Sequence, residues 1–277
     1  MVNTLKTLIS VAVIVGATAA FGQPAPAAPQ PIRYSYADLA DFALSGPIVA
    51  ELRIRKAEKL PLAAETATAT KQRHLITADV TSVIRAASGI PPRIEFLYDA
   101  PRDAEGRLPK LNKTNVAIAA LPVSGKPQSL RLASPDALIV SGPAEAATIR
   151  SIVKAALDPA APPEISGVGS AFHTPGTLEG EGDTQIFLTT RDGRPISFNV
   201  IRTPAAAPRW SVSIDELVDA SGAQPKRDTL LWYRLACFLP TTLPSSSTTS
   251  TPEYASLITE DYATIMRGLG PCRRTRT

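Results

Sequence analysis

The chain has 277 residues, of which 44% are hydrophobic, and its 29 Lys and Arg residues nearly balance 25 Asp and Glu residues, for a formal charge of +4. Because the positive and negative charges nearly cancel, the chain lacks the large basic surface typical of nucleic-acid-binding proteins. The length is sufficient for one large or two small hydrophobic cores.

The N-terminal segment has the pattern of a secretory signal peptide. Residues 1–22 carry one lysine, Lys6, then an apolar run over 8–21 and small residues, which predicts cleavage after Gly22. The apolar run is shorter than the ~20 residues that span a bilayer, so an uncleaved anchor is the less favoured alternative. We expect a periplasmic or secreted protein with no integral membrane segment after cleavage. The Pro/Ala-rich residues 23–31 predict an extended tether.

Residues 32–160 predict a first domain. A short helix is expected after Ser35, a typical N-cap residue. Several β-like runs follow, separated by turn-rich spacers: PIVAELRIRKAEKL, HLITADVTSVIR, RIEFLYDA, NVAIAALPV, LRLA and ALIV. Pro143 then opens a segment with apolar residues at helical spacing, which predicts a capping helix. The pattern favours a small OB-like β-barrel with flanking helices.

Residues 163–277 predict a second region, which begins with a β-hairpin. In TQIFLTTRDGRPISFNVIR, the Asp192-Gly193 pair favours a two-residue type I′ turn, in which both central residues have positive φ. That turn sets a register in which Phe187 faces Phe198. Two C-terminal helices should follow, and the class of the whole chain is therefore α+β.

The two C-terminal helices are predicted from apolar runs with start and stop signals. RDTLLWYRLACFLP has Asp228 as a possible N-cap, with a buried strand as the alternative to a helix. PEYASLITEDYATIMRGLG begins at Pro252 and carries a continuous apolar stripe. Trp210 and Trp232 are expected in the core rather than on a sugar-binding platform.

Two cysteines, Cys237 and Cys272, are the even number expected of one structural disulfide in an exported protein. The alternative is a pair of free buried thiols. A redox-active pair is not favoured, because the two residues are far apart in sequence.

The strongest candidate for a ligand-contacting surface lies just before the predicted hairpin. His173, Glu179, Glu181 and Asp183 occur within eleven residues. In an extended chain the three carboxylates, at every second residue, would point to one side, so a hard-cation site is an alternative to a solvated loop. We expect these carboxylates to be mostly exposed, and we assign no metal site, cofactor or catalytic residue.

Catalysis at His173 is the alternative to binding. The nearest serine in sequence is Ser170, but the chain has no recognised serine, cysteine or zinc hydrolase motif. His74, just before a β-like run, is expected on the surface.

Four segments resemble an uncharacterised family of secreted alphaproteobacterial proteins of the sphingomonad type. They are GVGSAFHTPGTLEGEGDTQIFLTTRDGRPISFNVIR, PRWSVSIDELVD, DTLLWYRLACFLP and LGPCRRTR. This resemblance implies no particular activity. The order of helix, strands and capping helix in residues 33–157 is also similar to netrin and tissue-inhibitor OB-like barrels, which implies binding to protein or polysaccharide.

The sequence thus predicts a binding or envelope-interaction module whose partner is a protein or polysaccharide of the cell envelope. A metal-dependent or serine-type hydrolase that uses the His173 region is the alternative.

Overall fold

The computed structural model describes residues 34–61, 70–214 and 223–276. The predicted signal peptide over 1–22 and the tether over 23–31 lie outside the described residues. Within the described ranges, no helix has the length and apolar character needed to cross a membrane.

The described residues form two antiparallel sheets and several helices, which confirms the α+β class. The elements are α1 (Tyr36–Leu44), β1 (Ile48–Lys59), β2 (Lys71–Arg85), β3 (Arg93–Pro101), β4 (Asn115–Pro122), β5 (Leu130–Leu132), β6 (Leu138–Val140), α2 (Pro143–Leu157), β7 (Ile165–Pro175), β8 (Gly182–Thr190), β9 (Ser197–Arg202), β10 (Arg209–Ser213), α3 (Leu230–Ala236) and α4 (Ala255–Leu269). Short 3₁₀ turns at Ser245–Thr248 and Pro252–Tyr254 precede α4.

The first sheet is open, so the prediction of a closed barrel is wrong. Its strand order is β3-β2-β1-β4-β5, and β6 also pairs with β4. Within the described residues, the two edges share one parallel bridge, between Glu95 and Ser129. The edge strand β5 has three residues, so it offers too few backbone groups to close a ladder with β3. The sheet nevertheless encloses its own apolar core, which includes Leu52, Ile76 and Phe96.

The second sheet, in the order β10-β9-β8-β7, contains the predicted hairpin with a different turn and register. Ile186 faces Phe198, one residue away from the predicted pairing, and both side chains are buried. Gly193 has φ +77°, but Asp192 is not among the described non-glycine residues with positive φ, so the turn is not type I′.

The longer hairpin loop has a local cause and a tertiary cause. The Asp192 carboxylate accepts hydrogen bonds from the backbone N–H and the guanidinium of Arg194, which holds the chain in a wider turn. The backbone N–H of Arg191 donates to the carbonyl of Glu164, before β7, instead of to β9. The loop between the paired residues Phe187 and Ser197 has an odd number of residues instead of two, so the register shifts by one residue and Phe187 lies opposite Ser197 rather than Phe198.

One hydrophobic core joins the two predicted regions. Val49 of the first sheet and Ile149 of α2 belong to the same buried cluster as Ile186 of β8, Trp232 of α3 and Tyr262 of α4. Trp210 is buried there too, as predicted for both tryptophans. The second sheet is therefore held by the helices on one face.

The predicted disulfide between Cys237 and Cys272 is present, with the two Cα atoms 5.0 Å apart. The linker after α3 runs back along β7, where the Thr251 hydroxyl donates to the carbonyl of Ala171, and α4 then returns the chain toward α3. The N-cap of α3 is Thr229 rather than the predicted Asp228, because Asp228 has φ +58° and the Thr229 hydroxyl accepts from Trp232 N–H.

The C-terminal tail is held at the first turn of α1. Asp38 completes a capping box with Ser35, the predicted N-cap, and also accepts hydrogen bonds from the backbone N–H groups of Thr275 and Arg276. Burial by itself raises the pKa of Asp38, but the hydrogen bonds from Thr275, Ser35 and Arg276 outweigh it and lower the pKa to about 2. The Asp38 carboxylate therefore links the first turn of α1 to the C-terminal tail through hydrogen bonds.

Candidate functional site

A cleft of about 410 Å³ opens where β7 ends and β8 begins. One wall is the connecting loop, residues 176–181, and the other includes Arg202 of β9 and Leu257 of α4. Glu181 shapes the loop, because its carboxylate accepts hydrogen bonds from the backbone N–H groups of Thr177 and Leu178 at 3.0 and 3.1 Å. The loop is thus an ordered wall that presents polar groups.

The structure brings three of the four predicted ligand-contact residues to this cleft. His173, Glu179 and Glu181 line it, whereas Asp183 does not. The extended arrangement that would point all three carboxylates to one side does not occur, because the loop turns at Gly180, with φ +81°, and β8 begins only at Gly182. Glu179 is exposed as predicted.

Glu181 and Asp183 are only partly exposed, which differs from the prediction. Burial raises the pKa of Asp183, although nearby His173 and a hydrogen bond from Asn199 oppose the shift. In the described part of the chain, no group of three His, Cys, Asp or Glu side chains is arranged to hold a metal ion.

A buried chain of hydrogen bonds leads from α4 to the cleft. Asp261 of α4 is fully buried, and one carboxylate oxygen accepts from the Thr184 hydroxyl at 2.5 Å. The other oxygen accepts from Arg202 Nε at 2.8 Å. The Thr184 hydroxyl in turn lies 2.8 Å from Nδ1 of His173.

The directions of these bonds determine the tautomer of His173. The Asp261 carboxylate, paired with Arg202, can only accept, so the Thr184 hydroxyl gives it its single proton. Thr184 must then accept from His173, which places the histidine proton on Nδ1 and leaves Nε2 as an acceptor. Burial lowers the pKa of His173, against the opposing effect of Asp261, and so favours this neutral form.

Packing holds the His173 ring in one position. The ring of Tyr254 lies on one side, with centroids 5.0 Å apart. Gly182 lies on another, and a Cβ at that residue would come within 2.5 Å of His173 Cε1. Only 8% of His173 is exposed, and Nε2 has no hydrogen-bond partner among the described residues. The ring is therefore an ordered, neutral acceptor at the cleft.

Thr184, Arg202 and Asp261 were not among the predicted site residues. One signal was present for Asp261, because it follows Ile258 by three residues and precedes Ile265 by four, which puts a charge on the apolar face of α4. A carboxylate on a buried face requires a partner. No comparable signal marks Thr184, since threonine is common in strands.

The other histidine and the candidate serine lie apart from this chain of hydrogen bonds. Ser170 is exposed and lies in an irregular stretch of the β7–β8 pairing. The hydroxyl that contacts His173 belongs to Thr184 instead. His74 is 4% exposed, so its predicted surface position is wrong. It lies on the inward face of β2, two residues before Ile76, and Nδ1 is 2.9 Å from the carbonyl of Gln72.

Comparisons with family models, with curated proteins and with solved structures find no match to this chain.

Proposed function

We propose that this protein is an envelope-binding module that contacts a polar ligand, a glycan, through the cleft at His173. The observation that carries the proposal is the ordered, neutral ring of His173, which lines the same cleft as the side chains of Glu179 and Glu181. Sugar hydroxyl groups donate to neutral imidazole nitrogens and to carboxylates. Arg202, which also lines the cleft, adds positive charge to the same surface.

The first sheet supports the same class of function. OB-folds are partly open five-stranded barrels that bind oligosaccharides and oligonucleotides. The strand order of the first sheet, with edges that meet at one bridge, resembles that arrangement. The near-neutral charge of the chain favours oligosaccharides, and the disulfide is compatible with the oxidising environment of the periplasm or the exterior.

Titration with chitotriose, a soluble oligosaccharide of N-acetylglucosamine, tests the proposal. We expect amide chemical shifts of residues 173–181 to move in NMR spectra, and Leu257→Trp, which fills the cleft, to abolish the changes. Leu157→Trp is the matched control, because Leu157 is 64% exposed on α2, away from the cleft. The proposal fails for this sugar class if shifts occur elsewhere only, or if Leu257→Trp binds as well as the original chain.

Hydrolysis is a second candidate, favoured by the hydrogen-bond chain that ends at His173. A neutral histidine with its proton held on Nδ1 has the form of a general base at Nε2. Thr184 is not a nucleophile candidate, because it is fully buried and bonded on both sides. Water would therefore be the attacking group.

Turnover of p-nitrophenyl esters and glycosides, with and without zinc, tests this candidate. An activity lost in His173→Gln but retained in Glu253→Gln, an exposed control, would support it. Equal rates in both variants would contradict it.

A further inference from the structure

A second, smaller cleft of about 110 Å³ lies at the opposite end of β7 from His173. Its walls come from the end of α1, the start of β7 and α3, and they include Leu44, Ile165 and Phe238. Ile165 and His173 are eight residues apart on β7, which corresponds to about 25 Å, so the two clefts are separate.

Arg234 of α3 lines this cleft and is the residue that indicates a ligand. It is only 8% exposed, yet its guanidinium makes no hydrogen bond or ion pair with any residue in the described ranges. Arginines buried to this degree are usually paired with an anionic group, and none of the Arg234 nitrogens is among the fully enclosed atoms of the described residues, so the guanidinium still reaches the cleft. Burial lowers the pKa of Arg234, and the more distant carboxylates of Glu164 and Asp192 only partly compensate.

The neighbouring charges leave a positive excess at the cleft. Asp192 binds Arg194 at 2.8 Å, and Glu164 pairs with Arg191 at 3.5 Å on the surface. Each nearby carboxylate therefore has a closer arginine of its own. The N–H groups of the Arg234 guanidinium therefore remain available to bind an anionic ligand from solution.

Apart from the paired Glu164 and Arg191 at its edge, the rest of the lining is apolar or aromatic. Phe238 is 48% exposed at the mouth of the cleft. The Tyr233 hydroxyl donates a hydrogen bond to Asp41 at 2.6 Å, so the Tyr233 ring contributes an apolar surface to the cleft. The volume is somewhat below that of a cavity of about 150 Å³ that accepts benzene, so an aromatic body would lie partly at the open mouth, against Phe238. An occupant that satisfies both parts of the site has an anionic head and a small apolar body.

We propose that Arg234 binds the carboxylate of a small amphipathic acid whose apolar part lies against Ile165 and Phe238. The planar guanidinium fork matches a carboxylate, with two parallel N–H···O bonds. Inorganic phosphate provides the charge without the apolar body, and so should bind more weakly.

Calorimetric titration with benzoate tests this proposal, with benzamide as a neutral analogue of the same shape. We expect benzoate to bind with a millimolar or lower dissociation constant and benzamide to bind about tenfold or more weakly. Arg234→Met should weaken benzoate binding by the same factor or more, since the charged hydrogen bonds are lost. Arg131→Met removes one exposed arginine of β5 and should leave binding unchanged.

A stability measurement guards against loss of fold. Because Arg234 has no internal partner, Arg234→Met should unfold at the same denaturant concentration as the original chain or a higher one. Arg234→Lys keeps the charge without the fork, and should weaken benzoate binding about tenfold while remaining folded. Equal benzoate affinity in the original chain and Arg234→Met, no heat with benzoate at ~10 mM, or a marked loss of stability in Arg234→Met would each overturn the proposal.

Discussion

Replacing Thr184 by valine removes the central hydroxyl of the His173 hydrogen-bond chain and keeps the shape of the side chain. The substitution leaves one buried oxygen of Asp261 without its donor and the Nδ1–H of His173 without its acceptor. Each unsatisfied buried group costs about 1 to 3 kcal/mol, with charged groups at the upper end. We therefore expect Thr184→Val to lower the free energy of unfolding by about 3 kcal/mol.

Urea denaturation at pH 7, followed by tryptophan fluorescence, measures this loss. Thr190→Val is the matched control in the same strand, because the Thr190 hydroxyl donates to the carbonyl of Arg194 at an exposed site. It should cost less than about 1 kcal/mol. In a double-mutant cycle, Thr184→Val and Asp261→Asn should be coupled by about 1 to 3 kcal/mol.

A second readout tests the position of the histidine proton. Nitrogen chemical shifts of the His173 ring should report a proton on Nδ1 in the original chain and a mixture of tautomers in Thr184→Val. A variant within about 0.5 kcal/mol of the original chain, with an unchanged tautomer, would refute the argument that Thr184 links Asp261 to His173.

Three further predictions concern the tail, the disulfide and the cleft. The pKa of Asp38 is lowered from 3.8 to about 2, so its stabilising contribution is present above pH 4 and is lost as pH falls to about 2. Asp38→Asn should therefore cost about 2 kcal/mol at pH 7 and flatten the loss of stability in acid-denaturation curves over that range. Replacing Cys237 and Cys272 by serine should cost about 3 to 4 kcal/mol in urea denaturation, because the bridge closes a 35-residue separation; a change below about 1 kcal/mol would contradict this. Gly182→Ala should displace the adjacent histidine ring and cost about 1 to 3 kcal/mol, whereas Gly89→Ala, with open space around it, should be near neutral; equal melting temperatures for the two variants would argue against the tight packing.

In the β8–β9 hairpin, the local sequence predicted the conformation of the turn glycine correctly but not the strand register. Gly193 does adopt positive φ, as the Asp-Gly pair indicates, because glycine is the residue that tolerates it. The predicted register was wrong because the loop is wider than two residues, and the N–H of Arg191 in that loop binds the carbonyl of Glu164, just before a different strand. A pattern confined to the hairpin contains no information about that third partner.

In the candidate site, too, some residues could be predicted from the local sequence and others could not. His173, Glu179 and Glu181 were identified because they lie in one short polar loop. Thr184 and Asp261 are 77 residues apart in sequence, and only the packing of α4 on the second sheet brings them together.

By itself, the sequence determined the α+β class, the N-cap at Ser35, the pairing of two cysteines and the burial of Trp210 and Trp232. Each of these depends on hydrophobicity, on residue type or on neighbours within one turn. Tertiary structure alone decided that the first sheet stays open, that both regions share one core and that Arg234 faces a cavity without a partner. Those features depend on which distant surfaces meet, because a buried charge or a strand edge is satisfied by groups that the chain brings from far away.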